Sequence, residues 1–166
     1  LVYGALCVAL SFMLSYIKLF SLPMGGSLTL CSMLPIAAYA CAFGPLYGFT
    51  AGLAFGVLQL IQDFYVIHWA QLLLDYFFAF ACYGIAAYFP NKLTLGIAVA
   101  GLCRMLCSTL SGGIFFADSA VDAGWSNAWL YSLAYNGSTI GAETVLCVLV
   151  SLLPPVKKVL GLMKSE

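Results

Sequence analysis

Long apolar runs separated by short polar breaks make up nearly the whole chain. A helix needs about 20 apolar residues to cross a bilayer, and fewer where neighbouring helices shield it. Strands of a membrane barrel would alternate apolar and polar positions, and these runs do not. The runs therefore predict six transmembrane helices, over about Val2–Phe20, Leu28–Phe43, Leu46–Ile61, Trp69–Phe89, Leu93–Phe116 and Ala128–Leu153.

The breaks between these runs consist of residues that end or interrupt helices. Pro23, Gly25 and Gly26 interrupt the chain within 21–27, and the two glycines permit a hinge, so we expect this loop to act as a lid. Gly and Pro are the strongest local signals for turns. The remaining breaks lie at Gly44-Pro45, Gln62-Asp63, Pro90-Asn91-Lys92, 118–127 and Pro154-Pro155.

The composition assigns the chain to a lipid environment. Hydrophobic residues make up 64% of the 166 residues and charged residues only 7%, against about 25% in soluble domains. A small soluble domain must present a large polar exterior, which this chain cannot provide. We therefore predict an all-α integral membrane protein, one compact bundle of six transmembrane helices over residues 1–166. The first apolar segment lacks a positively charged N-terminal region and is followed by further apolar segments of similar length, so it does not resemble a signal peptide.

The basic residues predict the orientation in the membrane. In a six-span arrangement Lys92, Lys157, Lys158 and Lys164 fall on one side, and Lys18 alone lies near the other. Basic loops stay in the cytoplasm, so we expect a cell-membrane protein with both termini cytoplasmic. The formal net charge is zero, which argues against a nucleic-acid partner. Because the sequence starts abruptly at Leu1, a missing cytoplasmic extension is left open.

Three ionisable residues lie well inside the predicted spans: Asp75, Arg104 and Glu143. A charge at mid-membrane costs roughly 2.5–3.5 kcal/mol even on lenient scales, so such residues normally face the bundle interior and mark a functional path. An alternative is that Asp75 pairs with Arg104 as an internal brace, and both interpretations can hold together.

Helical spacing places further polar residues beside these three. Residues three or four apart share a face of a helix. Polar faces of this kind comprise Gln71 with Asp75, Arg104 with Ser108 and Ser111, and Ser132 with Asn136, Thr139 and Glu143, flanked by Tyr131 and Tyr135. For the serines, hydrogen bonds between helices are the simpler explanation. For Asp75, Asn136 and Glu143 we favour a binding site.

Aromatic residues cluster toward the predicted outer side. A carboxylate, an amide and several aromatic faces together suit a flat cationic heterocycle. Some aromatic residues, particularly Trp69, Trp125 and Trp129, also fit an ordinary interfacial belt. His68 is interpreted as an interface residue and the seven cysteines as small apolar side chains, so neither a metal nor a cofactor is predicted. The outer aromatic residues are Tyr65, Tyr76, Phe115, Phe116, Trp125, Trp129 and Tyr131.

Four segments carry a resemblance to a known family: 25–36 (GGSLTLCSMLPI), 70–76 (AQLLLDY), 111–116 (SGGIFF) and 130–137 (LYSLAYNG). Over essentially its whole length the chain resembles the thiamine-specific substrate-binding subunits, or S-components, of energy-coupling factor vitamin transporters. The resemblance implies a subunit that captures thiamine from outside and docks onto a coupling module of one transmembrane subunit and two ATPases. In that family an Ala-x-x-x-Ala face of the first helix contacts the coupling subunit, which implies this role for Ala5 and Ala9. The chain itself contains no glycine-rich P-loop.

The resemblance also suggests the ligand contacts. Two positions depart from the family pattern: Ser108 stands where the family has a histidine, and Phe116 where it has a stacking tryptophan. These departures leave a thiamine precursor or fragment open as the ligand. Together with the polar faces above, the expected ligand-binding set is Tyr65, Asp75, Tyr76, Arg104, Ser108, Phe116, Trp129, Tyr131, Tyr135, Asn136 and Glu143.

Three other classes of function remain as alternatives. An intramembrane enzyme would need a nucleophile with a base or a metal set, and the single histidine argues against it. A stand-alone channel or proton-coupled carrier could use Asp75, Arg104 and Glu143 as a relay. A purely structural membrane protein would leave the buried carboxylates without a role.

Overall fold

The computed structural model describes residues 1–22 and 26–165, which are mainly helical. One antiparallel strand pair, β1 (Lys18–Ser21) and β2 (Ser27–Thr29), lies near the N-terminus. The helices of the described residues are α1 (Val2–Ser15), α2 (Leu34–Phe43), α3 (Pro45–Gln62), α4 (Trp69–Tyr88), α5 (Leu93–Phe115), α6 (Ala117–Asp122), α7 (Ala128–Ser151) and α8 (Pro154–Lys164).

Among the described residues, three helices are both long and apolar enough to cross a bilayer: α4, α5 and α7. α1 and α2 are apolar but shorter, with 14 and 10 residues. Each of the six predicted spans therefore contains a helix, whereas six complete crossings stay a prediction.

The region between the first two predicted spans differs from the expectation. α1 ends at Ser15 rather than Phe20, and α2 begins at Leu34 rather than Leu28, because the residues between them form the β1–β2 hairpin. Apolar content alone does not separate a short strand from the end of a helix. A left-handed backbone at Cys31, with φ of +57°, then turns the chain from β2 toward α2.

Two helices lie where the sequence analysis predicted breaks in the helical structure. α6 occupies part of the 118–127 segment, and α8 begins at Pro154-Pro155, which had been interpreted only as a break. Proline is tolerated in the first turn of a helix, where its missing N–H is not needed. α8 packs on the core through Val156, Leu160 and the buried Met163.

Close packing of α3 on α4 depends on glycine. A side chain at Gly52 or Gly56 would collide with the α4 backbone at Phe80 or Tyr76. Small residues four apart let two helices approach closely in a membrane, where the lipid provides little hydrophobic driving force. This contact fixes α4 against α3 and so positions the carboxylate of Asp75, which lies in the same part of α4.

α4 and α7 are not regular α-helices throughout. α4 contains a π-helical segment over Leu73–Phe78, and α7 contains one over Gly137–Gly141. Wider π-helical turns occur frequently at functional sites, where they redirect side chains. The first segment carries Asp75 and Tyr76, and the second lies between Asn136 and Glu143.

Candidate functional site

A cavity of about 170 Å³ lies among α3, α4, α5, α7 and the hairpin. It is lined by polar and aromatic side chains in a bundle that is otherwise strongly apolar. The residues around it are Gly26, Ser27, Thr29, Ser32, Gln59, Asp63, Tyr65, Gln71, Asp75, Tyr76, Phe80, Arg104, Ser108, Gly112, Phe116, Tyr131, Ser132, Tyr135, Asn136, Thr139, Ile140 and Glu143.

The Asp75 carboxylate is held from two sides. Its Oδ2 accepts hydrogen bonds from Gln71 Nε2 at 2.8 Å and from Ser111 Oγ at 2.7 Å. Both bonds end on the same oxygen, and Ser108 lies within reach of the carboxylate. Oδ1 is therefore the oxygen left to meet a bound molecule.

Both oxygens of the Glu143 carboxylate are engaged by other side chains and by the backbone of the protein. Oε1 accepts hydrogen bonds from Thr29 Oγ1 at 2.5 Å, Ser32 Oγ at 2.7 Å and the Ser32 amide at 3.0 Å. Oε2 lies 3.3 Å from Arg104 Nη1. Glu143 is only 2% exposed, so these contacts replace its hydration. It lines the cavity, but its oxygens serve to join α7 to the turn before α2.

Arg104 completes this buried cluster. Its Nη1 also donates to the Tyr83 hydroxyl, and its guanidinium lies over the Phe80 ring, 4.5 Å from the centroid. Arg104 thus pairs with Glu143, and the alternative brace between Arg104 and Asp75 is not among the ion pairs of the described residues. Both acidic residues lie on the polar faces predicted from the sequence, and spacing along a helix gave no basis for choosing between them.

Two aromatic rings from different elements meet at the cavity. Tyr65 precedes α4 and Phe116 follows α5, and their rings stack 5.9 Å apart at 20°. Tyr76 supports this pair, since its hydroxyl accepts from the Tyr65 amide at 3.2 Å and donates to the Asp63 carbonyl at 2.6 Å. Flat parallel rings at a cavity wall are suited to stacking on another flat ring.

α7 contributes further polar and aromatic groups. Asn136 lines the cavity, and its Nδ2 donates to the Ser132 carbonyl at 2.9 Å and to Ser132 Oγ at 3.3 Å. The Tyr131 and Tyr135 rings lie 6.1 Å apart on the same wall. Trp129, by contrast, is 49% exposed, packs against Gly113 and does not line the cavity.

Ten of the eleven predicted ligand-binding residues thus line one cavity, and Trp129 is the exception. The structure adds lining residues that the sequence did not single out as contacts, notably Ser27, Thr29 and Ser32 from the hairpin region and Gln59 from α3. The polar character of 27–32 is the available signal, but the sequence analysis places Ser27 in the loop and Thr29 and Ser32 at the start of a transmembrane helix.

The hairpin is tied to the bundle at both ends. The Gly26 amide donates to the Tyr135 hydroxyl at 2.8 Å, and Lys18 Nζ lies 2.7 Å from Asp63 Oδ2. These contacts hold the hairpin against the cavity, which Gly26, Ser27 and Thr29 help to line, and its action as a lid stays a prediction. Pro23, Met24 and Gly25 lie outside the described residues, and the expected hinge at Gly25 lies there with them.

The two predicted docking alanines and His68 lie outside the cavity lining. Ala5 and Ala9 are exposed on α1, beside the exposed side chains of Leu6 and Leu10. His68 precedes α4, where its Nδ1 accepts from the Ala70 amide at 3.1 Å and its ring stacks on Phe115 at 5.1 Å. His68 therefore caps the start of α4.

Comparison with known proteins identifies the family. The family model described as "Thiamine transporter protein" matches residues 1–162. The chain belongs to this family. The thiamine transporter ThiT of Bacillus subtilis strain 168 is 31% identical over 147 residues, which cover 78% of this chain and 75% of that protein. Both the family and the apolar helices assign this thiamine transporter family member to the membrane.

A solved structure shows the same fold. ThiT from Listeria monocytogenes superposes with a TM-score of 0.79 at 21% identity, over 100% of this chain and 93% of that one. The arrangement of helices and hairpin described above is therefore the fold of a solved thiamine transporter family structure.

Proposed function

We propose that this family member is the substrate-binding subunit of an energy-coupling factor importer and that it captures thiamine from outside the cell. The observation that carries the proposal is the cavity in which Asp75 lies among stacked aromatic rings and amide groups. Thiamine joins an aminopyrimidine to a positively charged thiazolium ring. Each of these features has a matching group in the cavity.

In this proposal Asp75 meets the cationic thiazolium or the amino group of the pyrimidine through Oδ1. A carboxylate in a cavity shielded from water attracts a cation more strongly than it does on a surface. The stacked pair of Tyr65 and Phe116 packs against a ring of the ligand, while Asn136 and Tyr131 donate or accept hydrogen bonds at its polar edge. Arg104 and Glu143 neutralise each other and shape the cavity floor, so the net charge offered to the ligand comes from Asp75.

The proposed partners follow from the same assignment. A transmembrane coupling subunit contacts the Ala5–Ala9 face of α1, and two ATPase subunits supply the energy, so the chain itself is not an enzyme. Both termini and the lysine-rich end of the bundle face the cytoplasm. The cavity mouth at the hairpin then faces outward, where the vitamin arrives.

One observation favours a second ligand class. The cavity of about 170 Å³ is smaller than the roughly 300–1,000 Å³ of typical ligand pockets. A thiamine precursor that carries only one of the two rings would fit it with less rearrangement. Transport flux in liposomes that contain this chain alone would instead favour a stand-alone carrier over a subunit.

Calorimetric titration of the detergent-purified chain with thiamine tests the proposal. We expect one-to-one binding that weakens at least tenfold in Asp75→Asn, because the substitution removes the counter-charge but keeps the shape. Asp118→Asn, the same chemical change at an exposed position on α6, is the matched control and should bind as the wild type does. Failure of the wild type to bind thiamine, with binding of an isolated pyrimidine or thiazole, would identify a precursor as the ligand.

A further inference from the structure

A second cavity, of about 580 Å³, lies at the opposite end of α5 from the thiamine site. It is a cleft between the start of α5, the end of α7 and the face of α8. The residues around it are Asn91, Lys92, Leu93, Thr94, Leu95, Ala98, Val148, Ser151, Leu152, Lys157 and Leu160.

The lining of the cleft combines basic, hydroxyl and apolar side chains. Lys92 and Lys157 line it together with Thr94 and Ser151, whose hydroxyl oxygens lie 3.0 Å apart. Leu95 and Leu152 also line it and are exposed by 44% and 49%, so their side chains are open to the surrounding lipid. These groups together suit an amphiphile, which carries a charged headgroup and an alkyl chain.

Within residues 1–22 and 26–165, no ion pair neutralises Lys92 or Lys157. Among the described residues the ion pairs are Lys18–Asp63 and Arg104–Glu143, and neither includes Lys92 or Lys157. A third basic residue, Lys164, donates to the Pro90 carbonyl next to the turn that carries Lys92. The cleft therefore presents unpaired positive charge to any anionic group.

α8 provides independent support for a membrane-surface location. Its inner side packs on the core through Met163, whereas Val159 and Leu162 are 54% and 59% exposed and lie near Lys158. A short basic helix with exposed apolar residues is typical of helices that lie in the plane of the membrane interface. Lys157 is thus held at the depth of the lipid headgroups.

We propose that this cleft binds one anionic phospholipid, with its phosphate between Lys92 and Lys157 and an acyl chain along Ala98, Val148 and Leu152. Basic pockets between transmembrane helices bind anionic headgroups in this manner. The apolar wall selects a lipid over a soluble phosphate, which would leave that wall uncovered. The site is separate from the thiamine cavity and does not depend on the proposed transport function.

Native mass spectrometry of the full chain in nonionic detergent tests the proposal, with dioleoyl phosphatidylglycerol as the probe. We expect the wild type to retain one molecule of this lipid and to bind dioleoyl phosphatidylcholine much more weakly. Inorganic phosphate at the same concentration should not displace the bound lipid. Lys92→Gln with Lys157→Gln should weaken binding about 25-fold, since each lysine near an anionic surface contributes about a fivefold factor.

Lys158→Gln is the control for the Lys157→Gln half of this change, because it removes one positive charge from the same helix without lining the cleft. An equal loss of affinity in Lys158→Gln would overturn the proposal, as would equal binding of phosphatidylcholine or displacement by phosphate. Ala98→Phe fills the apolar part without changing charge and should also abolish retention of the lipid; unchanged affinity would contradict the acyl placement. Monodisperse elution and an unchanged melting temperature establish that each variant is folded.

Discussion

Glu143 on α7 accepts two hydrogen bonds from Ser32, one from its hydroxyl at 2.7 Å and one from its backbone amide at 3.0 Å. The two residues are 111 positions apart in the chain. The same carboxylate pairs with Arg104 on α5, so one buried side chain joins the turn before α2, α5 and α7. This cluster therefore holds together the elements that surround the cavity.

Glu143→Gln should destabilise the fold substantially. Removing one member of a buried ion pair leaves an unpaired charge and costs on the order of 3 kcal/mol. The expected result is a lower apparent melting temperature in detergent, with Asp118→Asn unchanged. Ser32→Ala should lower it less, and should add little in a Glu143→Gln background because both changes remove the same contact. Fully additive effects would contradict a shared contact.

Phe116→Trp should increase affinity for thiamine. Tryptophan offers a stronger cation–π face than phenylalanine, and the difference corresponds to about a threefold gain in the association constant. Phe116→Ala should reduce affinity at least tenfold, because the ring that faces Tyr65 is lost. Titration calorimetry measures both, and Phe78→Trp at an exposed position on α4 serves as the control. Equal thiamine affinities of Phe116→Trp, Phe116→Ala and Phe78→Trp would show that the ligand does not contact Phe116.

The Lys18–Asp63 pair should contribute little to stability but affect hairpin opening. Its side chains are 30% and 37% exposed, and exposed pairs contribute about 0–1 kcal/mol. We expect Lys18→Gln to leave the melting temperature within about 2 °C and to accelerate chymotrypsin cleavage near Phe20. Thiamine should slow that cleavage in the wild type. Identical cleavage rates with and without thiamine would exclude a lid.

Ala9→Trp should separate transport from binding. The residue is exposed on α1 and does not line the cavity, so calorimetric affinity for thiamine should stay at the wild-type value. Uptake by cells that express the coupling proteins should fall at least tenfold, because a large ring blocks close approach of another helix. Leu110→Trp, at an exposed position on α5, is the control for added bulk. Normal uptake by Ala9→Trp would assign docking to another face.

The sequence predicted the interior of the cavity better than its mouth. Asp75 and Asn136 could be placed because helical spacing aligns them with other polar residues, and a bundle interior is the only favourable location for such faces in lipid. The partner of Arg104 could not be placed, since helical spacing does not reveal which of two acidic residues on other helices comes closest. The hairpin was missed because Lys18–Ser21 continues an apolar run and its strand partner follows a glycine-rich break.

The π-helical segment over Gly137–Gly141 makes the length of α7 matter as much as its residues. A π-helical turn holds one residue more than an α-helical turn, so winding the same residues as a regular α-helix would rotate everything beyond them by about 100°. Asn136 would keep its place at the cavity, whereas Glu143 would turn away from Ser32 and Arg104. The wide turn takes up this one residue and keeps both ends of α7 facing the cavity. A single-residue deletion that closed the wide turn would therefore leave Asn136 and Glu143 in register, whereas the insertion of one further residue would rotate the two halves of the helix against each other.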